Sequence, residues 1–426
     1  MIYPLFLTKL LIRSGLARWL PSIRRQIDGA GPFLHYYSNA VLRASVADIR
    51  LMGEFLEVKG PDAVNLAVSD PRFDLAPSAS TKLPAERRGW PPFGGLPELR
   101  EAVADKLEED QSLSMNPTEE ILITPGLAGA FHIALNTFVN PGDRVALFDP
   151  ASPLYRLALQ HRGARIHWIP TWMESGRTRF HMEPFVRALW RCRMIVVNSP
   201  TNPTGAIFAP EDLEQIVWWA HRRDVLIFSD EVFERFIYED KPIRIGTMAK
   251  ARPRTLTAGS VSKGYGLAST RVGWLAGHRH LIRPCALTAI LQAAGVPTVC
   301  QQVATSALCL GNEPFEPIRR DFDRRRRYTF ERLQAMNMKP IWPAGGFFVW
   351  LPVRELNVSG ITFGRKLLKS KTVLVSPGEF FGPSGAGHVR ISYATDDGRL
   401  REGLTRLGDF VREIRGVSLQ GRKKAA

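Results

Sequence analysis

Acidic residues are scarce in this chain. Its 57 lysines and arginines face 41 aspartates and glutamates, which leaves a net charge of +16 at pH 7. Cysteine is scarcer still. The four present, Cys192, Cys285, Cys300 and Cys309, have neither metal-ligand spacing nor the density of a disulfide scaffold, and read as reduced thiols in a cytosolic protein. No apolar stretch is long enough to span a bilayer. The 35 glycines and 31 prolines are spread out, so there is no low-complexity segment and no repeat. What remains is an ordinary globular composition, 45% hydrophobic and 23% charged, in a chain of 426 residues that can bury a full core in two domains.

The excess of positive charge is dispersed. Its densest run, Arg319, Arg320 and Arg324 to Arg327, reads as a solvated helix with no aromatic-interleaved basic motif or finger spacing, which argues against a nucleic-acid partner. Residues 1–27 carry Lys9, Arg13, Arg18, Arg24 and Arg25 and no acid, while Ile12, Leu16, Trp19, Leu20, Ile23 and Ile27 recur near helical spacing. Such a segment suits an arm packed on its own or a partner subunit, a membrane surface, or a targeting peptide.

From residue 121 short apolar runs alternate with helical stretches, the pattern of an α/β protein with a mostly parallel central sheet flanked by helices. The runs are 121–124, 145–148, 194–197, 225–228, 255–257 and 272–276. Polar residues follow several of them directly, and the carboxyl ends of sheet strands are where such folds build sites. Beyond about 310 the texture changes to a long basic helix (313–336), a strand signal at 343–351, a helix near 361–369, strands at 372–376 and 389–393, and a last helix at 397–414. This reads as a smaller α+β domain. The expected division is a basic arm plus part of the small domain over 1–80, a large domain over 81–312, and the rest of the small domain over 313–426.

Lys263 stands out in Gly-Ser-Val-Ser-Lys-Gly-Tyr-Gly-Leu-Ala-Ser-Thr-Arg-Val-Gly-Trp, residues 259–274. A lysine among small residues after an apolar run loses solvation, which lowers its pKa and frees the amine as a nucleophile toward an aldehyde. Ser260 and Arg271 bracket it with a hydroxyl and a guanidinium suited to a phosphate. An amine beside a phosphate clamp points to pyridoxal phosphate. Gly126 ends a strand and opens a helix at Leu127 and Ala128, whose free amides suit an anion. Asn202, in a rigid loop with two prolines, can hydrogen-bond a ring hydroxyl, or the loop is a plain turn. Asp230, at the tip of a buried strand, can protonate a pyridine nitrogen or simply cap a helix. Arg390, inside a strand, suits a substrate carboxylate or an internal ion pair.

Together these residues resemble the class I/II aminotransferases, fold type I pyridoxal-phosphate enzymes, over roughly residues 60–415. The resemblance rests on Gly95-Leu-Pro-Glu-Leu-Arg100, Asn-Pro-Thr-Gly at 202–205, Ser-Asp-Glu at 229–231, Ser-x-Ser-Lys followed by Arg-x-Gly at 260–273, Pro-Gly-Glu-Phe-Phe-Gly at 377–382 and Val-Arg-Ile-Ser at 389–392. It implies that Lys263 carries the cofactor aldehyde and moves the substrate's α-proton. Asp230 would pair with the ring nitrogen and Asn202 with the ring hydroxyl. Ser260, Arg271 and the amides of Leu127 and Ala128 would hold the phosphate, and Arg390 the substrate carboxylate. It also implies a homodimer acting on an α-amino acid and a 2-oxo acid.

Four positions depart from the family's pattern. Phe233 replaces a tyrosine that donates to the ring hydroxyl, Ser152 an aromatic that stacks on the ring, Trp90 a tyrosine supplied by the neighbouring subunit, and Ser69 a glycine next to the substrate carboxylate. Transamination in an altered ring environment is the expected activity. A lyase, cyclase or oxidase using the same lysine is the alternative, and a non-catalytic relative the third reading, which the retained Lys263–Asp230 pair opposes.

Overall fold

The computed structural model describes residues 89–424 apart from 240–243 and 249, together with 52, 53, 55, 60, 62–67, 70, 71 and 73. Residues 1–27 and Ser69 lie outside the described residues.

A nine-stranded sheet forms the centre, in the order β2-β10-β9-β8-β6-β3-β4-β5-β7. These strands are β2 (Ile121–Thr124), β3 (Arg144–Asp149), β4 (Arg165–Glu174), β5 (Arg177–Phe180), β6 (Cys192–Asn198), β7 (Ile207–Phe208), β8 (Leu226–Asp230), β9 (Thr255–Ser260) and β10 (Gly273–Gly277). From β9 through β8, β6 and β3 to β4 the pairing is parallel, and β10 runs antiparallel to both β9 and β2. The inner strands are continuous apolar runs because both faces are covered. Alternate side chains part to opposite sides. Leu147, Val196 and Phe228 join one cluster with Phe131 and Ile282, from helices α2 (Gly126–Phe138) and α7 (Arg279–Ala293). Phe148, Val197 and Ile227 join another with Phe185, Leu189 and Ile216, from α4 (Met182–Leu189) and α5 (Pro210–Arg223). Helices α1 (Pro97–Gln111) and α8 (Thr298–Leu308) close the β2–β10 edge through Leu99, Val103, Ala304 and Ala307 against Trp274.

A second, antiparallel sheet has the order β11-β14-β13: β11 (Phe348–Pro352), β14 (His388–Ser392) and β13 (Ser376–Pro377). Beside it β1 (Val64–Asn65) pairs parallel with β12 (Val373–Leu374), and the Ser392 N–H donates to the Leu66 carbonyl at 2.8 Å. Helices α9 (Phe315–Ala335), α10 (Gly360–Lys371) and α11 (Asp397–Lys424) bury Phe322, Leu333, Phe363, Leu367, Leu404 and Leu407 on it. The strand signal at 343–351 becomes regular only at Phe348, because Gly346 turns through φ 67° just before it. Strands β4 and β5 have no counterpart in the sequence reading, since their His, Trp, Thr and Arg residues give no apolar run.

The basic run in α9 is not uniformly solvated. Arg326 is fully buried, donating to Glu239 (2.9 Å), Asp323 (2.7 Å) and the Pro343 carbonyl (2.8 Å), between the rings of Tyr238 and Trp342. Arg327, one residue on, is half exposed. Arg326→Leu is therefore expected to lower stability by about 2–3 kcal/mol, whereas Arg327→Leu costs less than about 0.5 kcal/mol, as read from urea midpoints.

Candidate active site

The carboxyl ends of β2, β3, β6, β8 and β9 meet at one rim of the large sheet. Lys263 sits there in α6 (Val261–Gly264), a single turn that leaves β9 directly. The Ser260 hydroxyl accepts the Ser262 N–H at 3.0 Å and so caps this short helix. Desolvation pulls the Lys263 amine down to about 8; Arg390 and Arg271 act in the same sense, and Asp70 opposes them.

Asp230, 2% exposed, ends β8. Burial raises its carboxyl to about 7, while hydrogen bonds from the Tyr155 hydroxyl and the Val232 N–H (3.0 Å) hold it from rising further. The Val232 contact closes a local turn over residues 232–235 and no helix follows, so Asp230 is not a helix cap. Its other carboxyl oxygen belongs to Tyr155, from α3 (Pro153–Arg162), fixed edge-on against Phe131 at 5.0 Å. Burial against Asp230 pushes the Tyr155 phenol well above its usual pKa, which keeps it a donor. The Asn198 amide donates to the Asp230 carbonyl at 3.2 Å and accepts the Asn202 N–H at 2.8 Å, tying the loop after β6 to the end of β8.

Behind Asp230 lies a layer of buried charge. Glu231 accepts from Ser229 (2.9 Å) and Arg244 (3.1 Å), and Glu234 pairs with Lys106 at 2.5 Å. Arg235 lies over Tyr265 and Phe315 and donates to the Tyr265 hydroxyl at 2.7 Å. These contacts anchor the segment after Asp230 and the segment after Lys263 to one another.

Arg390 reaches the same pit from β14. It donates to the Ala67 carbonyl (2.6 Å), the Ser376 hydroxyl (3.2 Å) and the Asn202 side-chain oxygen (2.8 Å), with the rings of Phe348 and Phe381 at 4.3 and 5.0 Å from its guanidinium carbon. Among the described residues it has no carboxylate partner, which excludes the internal ion pair, and its Nε is buried without a hydrogen bond. Burial draws the guanidinium down to about 9. A cation so placed lacks an anion.

A third group forms at the start of α2. Gly126 adopts φ 70°, and a Cβ there would stand 2.6 Å from an Arg271 nitrogen; one on Gly273 would meet the Gly126 carbonyl carbon at 2.8 Å. Glycine at both positions lets the guanidinium approach the amides of Leu127 and Ala128, which no side chain caps. Arg271 donates to the Ala268 carbonyl at 2.9 Å and, at 3.5 Å, to the Ser262 hydroxyl. Ser260 instead spends its hydroxyl within the turn, on Ser262 and the Val272 carbonyl at 2.8 and 2.9 Å.

A sequence model of the family described as aminotransferase class I and II matches residues 61–407. The chain belongs to this family. It is 31% identical to an aspartate aminotransferase of Pyrococcus abyssi, over 83% of this chain and 92% of that one. It is 30% identical to aromatic-amino-acid aminotransferase 2 of Thermococcus litoralis, over 82% and 92%. Among solved structures, an aromatic aminotransferase from Pyrococcus horikoshii superposes with a TM-score of 0.79 at 30% identity, covering 87% of this chain and all of that one. The aspartate aminotransferase from Thermus thermophilus with maleate gives 0.77 at 29%, over 91% and 98%. The protein is thus a fold type I, pyridoxal-5'-phosphate-dependent aminotransferase acting between an amino acid and a 2-oxo acid.

The pit fits that cofactor by its own chemistry: a depressed amine, a buried carboxyl poised near neutrality, and an arginine above uncapped helix amides. The aminotransferase has no phenol at 233, where Phe233 is buried edge-on to Phe347 and Phe348 at 5.3 and 5.5 Å. Ser152 lines a cavity with Pro150, Ala151, Tyr155, Asn198 and Asn202. Trp90 is 83% exposed. The sequence reading missed Tyr155, Asn198 and Ser262, although Tyr155 follows Asp149-Pro-x-x-Pro closely enough to have been weighed.

In the apo protein, the Asp230 carboxyl holds its proton up to about pH 7, while in the unfolded chain it loses it near 3.8. Stability therefore falls as pH rises from about 4 to 7 and levels off above. Asp230→Asn removes that slope. The apo variant is expected to exceed wild type by ~2–4 kcal/mol at pH 8 and to match it near pH 4, in urea titrations at the two pH values.

Proposed function

We propose that Lys263 carries the cofactor aldehyde and moves the proton at the substrate's α-carbon, with Asp230 as the acid that keeps the ring nitrogen charged. Pyridoxal 5'-phosphate, when bound, supplies the aldehyde that accepts the amino group and a ring that withdraws electrons from the α-carbon. Lys263 suits proton transfer because an amine with a pKa near 8 is partly neutral at physiological pH and returns the proton readily. Asp230 ionises against a cationic nitrogen, and the Tyr155 bond aims it. Asn202 gives its oxygen to Arg390 and keeps its amide hydrogens for the ring oxygen. Arg271, Ser260 and the amides of Leu127 and Ala128 hold the phosphate, Ser260 by shaping the turn; Ser262 adds a hydroxyl.

The observation that carries the reading is Arg390, a buried cation with a free Nε and, among the described residues, no carboxylate partner. It supplies the missing charge partner for an amino-acid or 2-oxo-acid carboxylate, and its link to Asn202 couples substrate binding to the cofactor ring. With Phe233 and Ser152 beside the ring, ring orientation depends more heavily on Asp230 and Asn202.

The functional unit in this reading is a homodimer. Trp90, Phe93, Leu287 and Leu291 are 83, 53, 62 and 81% exposed on the single chain, and Pro91 lies against Gly295 just past α7, so they form a broad apolar surface. Sedimentation should give twice the chain mass, and Leu291→Glu should shift it toward the monomer.

Lys263→Ala is expected to lower turnover by at least about a thousandfold, with loss of the borohydride-fixed cofactor on that residue. Arg390→Gln should raise KM for the amino acid by roughly 10–100-fold, the value of one or two charge-assisted hydrogen bonds. Normal turnover in Lys263→Ala would sink the assignment. An amino-acid panel with and without a 2-oxo acid identifies the donor; steady ammonia release without acceptor would point to elimination instead.

A further inference from the structure

A groove of about 500 Å3 opens between α4 and α5, lined by Met182, Val186, Trp190 and Trp219 with Glu183, Arg187 and Arg223. None of these residues lines the Lys263 pit. Trp190 and Met182 are 52 and 39% exposed, and Trp218 and Trp172 beside them 44 and 40%. The Arg223 guanidinium lies over Trp190 at 4.8 Å and over Trp219 at 5.5 Å; Arg222 lies over Trp218 at 5.3 Å. Trp218 and Trp219 meet edge to face at 4.7 Å. A soluble enzyme gains no stability from leaving indoles outside in this way.

The charges decide between occupants. Arg191, Arg222 and Arg223 have no carboxylate partner among the described residues, and Arg191 and Arg222 are exposed. Of the nearby acids, Glu183 is matched by Arg187 and Asp224 by Arg254, while Glu214, one turn before Trp218, is exposed. The face is therefore apolar at its centre and cationic at its edge. Tryptophan and arginine together suit the boundary between acyl chains and anionic headgroups: the indole is apolar with one donor, and the arginine stem runs along hydrocarbon while its head stays with phosphate. Trp172 of β4 contacts His181, just before α4, at 4.5 Å. No described helix is long and apolar enough to cross a membrane, so contact through this face is peripheral.

We infer that the α4–α5 face is a docking surface for an anionic lipid bilayer, with Trp190 and Trp218 as interfacial anchors and Arg222 and Arg223 as headgroup contacts. The test uses full-length holoenzyme and vesicles of phosphatidylcholine with roughly a third phosphatidylglycerol, against phosphatidylcholine alone. The wild type should co-sediment with the anionic vesicles only, and brominated lipid should quench its tryptophan fluorescence. Trp190→Ser with Trp218→Ser, and separately Arg222→Glu with Arg223→Glu, should each weaken binding by about tenfold or more at unchanged kcat/KM. Deleting residues 1–27 should leave binding that still depends on both pairs. The arginine pair and the quenching on wild type decide the matter if the tryptophan variant fails to fold. Absence of vesicle binding overturns the inference, including the case in which the face instead joins a second copy or an acidic protein. So does binding that both variant pairs leave intact, or that vanishes on deleting 1–27 alone.

Discussion

A carboxylate buried without a cation cannot stay ionised unless something donates to it, and Asp230 in the apo fold is such a group. The Tyr155 hydroxyl and the Val232 amide are the donors that keep it near neutrality instead of letting it become a permanent acid. Everything else in the pit is arranged around that bond. Helix α3 places Tyr155, Phe131 fixes its ring, and Asn198 holds the loop after β6 to the carbonyl of Asp230. In the proposed reading the cofactor's ring nitrogen would be the partner that Asp230 lacks.

The three polar centres of the pit come from separate elements, which keeps them from pairing with one another. Lys263 leaves β9, Asp230 ends β8, and Arg390 comes from the second sheet through β14. Had Asp230 met Arg390 directly, both would have been satisfied and neither available. Instead Asn202 stands between the loop and Arg390, accepting from the guanidinium without cancelling its charge. The charge that does cancel lies one layer deeper, in the Lys106–Glu234 and Arg244–Glu231 contacts, where it braces the backbone on either side of the site.

The strands and polar tips of the large sheet were legible because parallel strands buried on both faces leave continuous apolar runs, and residues such as Asp230 and Asn202 interrupt them at fixed places. Strands β4 and β5 were not, since an edge of the sheet tolerates histidine, tryptophan and arginine and carries no run. Arg326 misled for the opposite reason. In a run of arginines nothing local distinguishes the one that turns inward between Tyr238 and Trp342. Ser260 and Ser262 show the same limit: two hydroxyls two residues apart look alike until the turn assigns one to capping and leaves the other toward Arg271.

By itself the sequence determined the chemistry of the site: a lysine, an aspartate, an asparagine and two arginines, each at the end of an element whose period is local. Tertiary structure alone decided which of them remain uncompensated. That Arg390 meets no carboxylate among the described residues, that Tyr155 reaches Asp230 across 75 residues of chain, and that Trp190, just past α4, and Trp219 of α5 line one groove all depend on contacts between distant segments. Burial and pairing are properties of the packed whole, and they set the pKa values and unmet valences on which function turns.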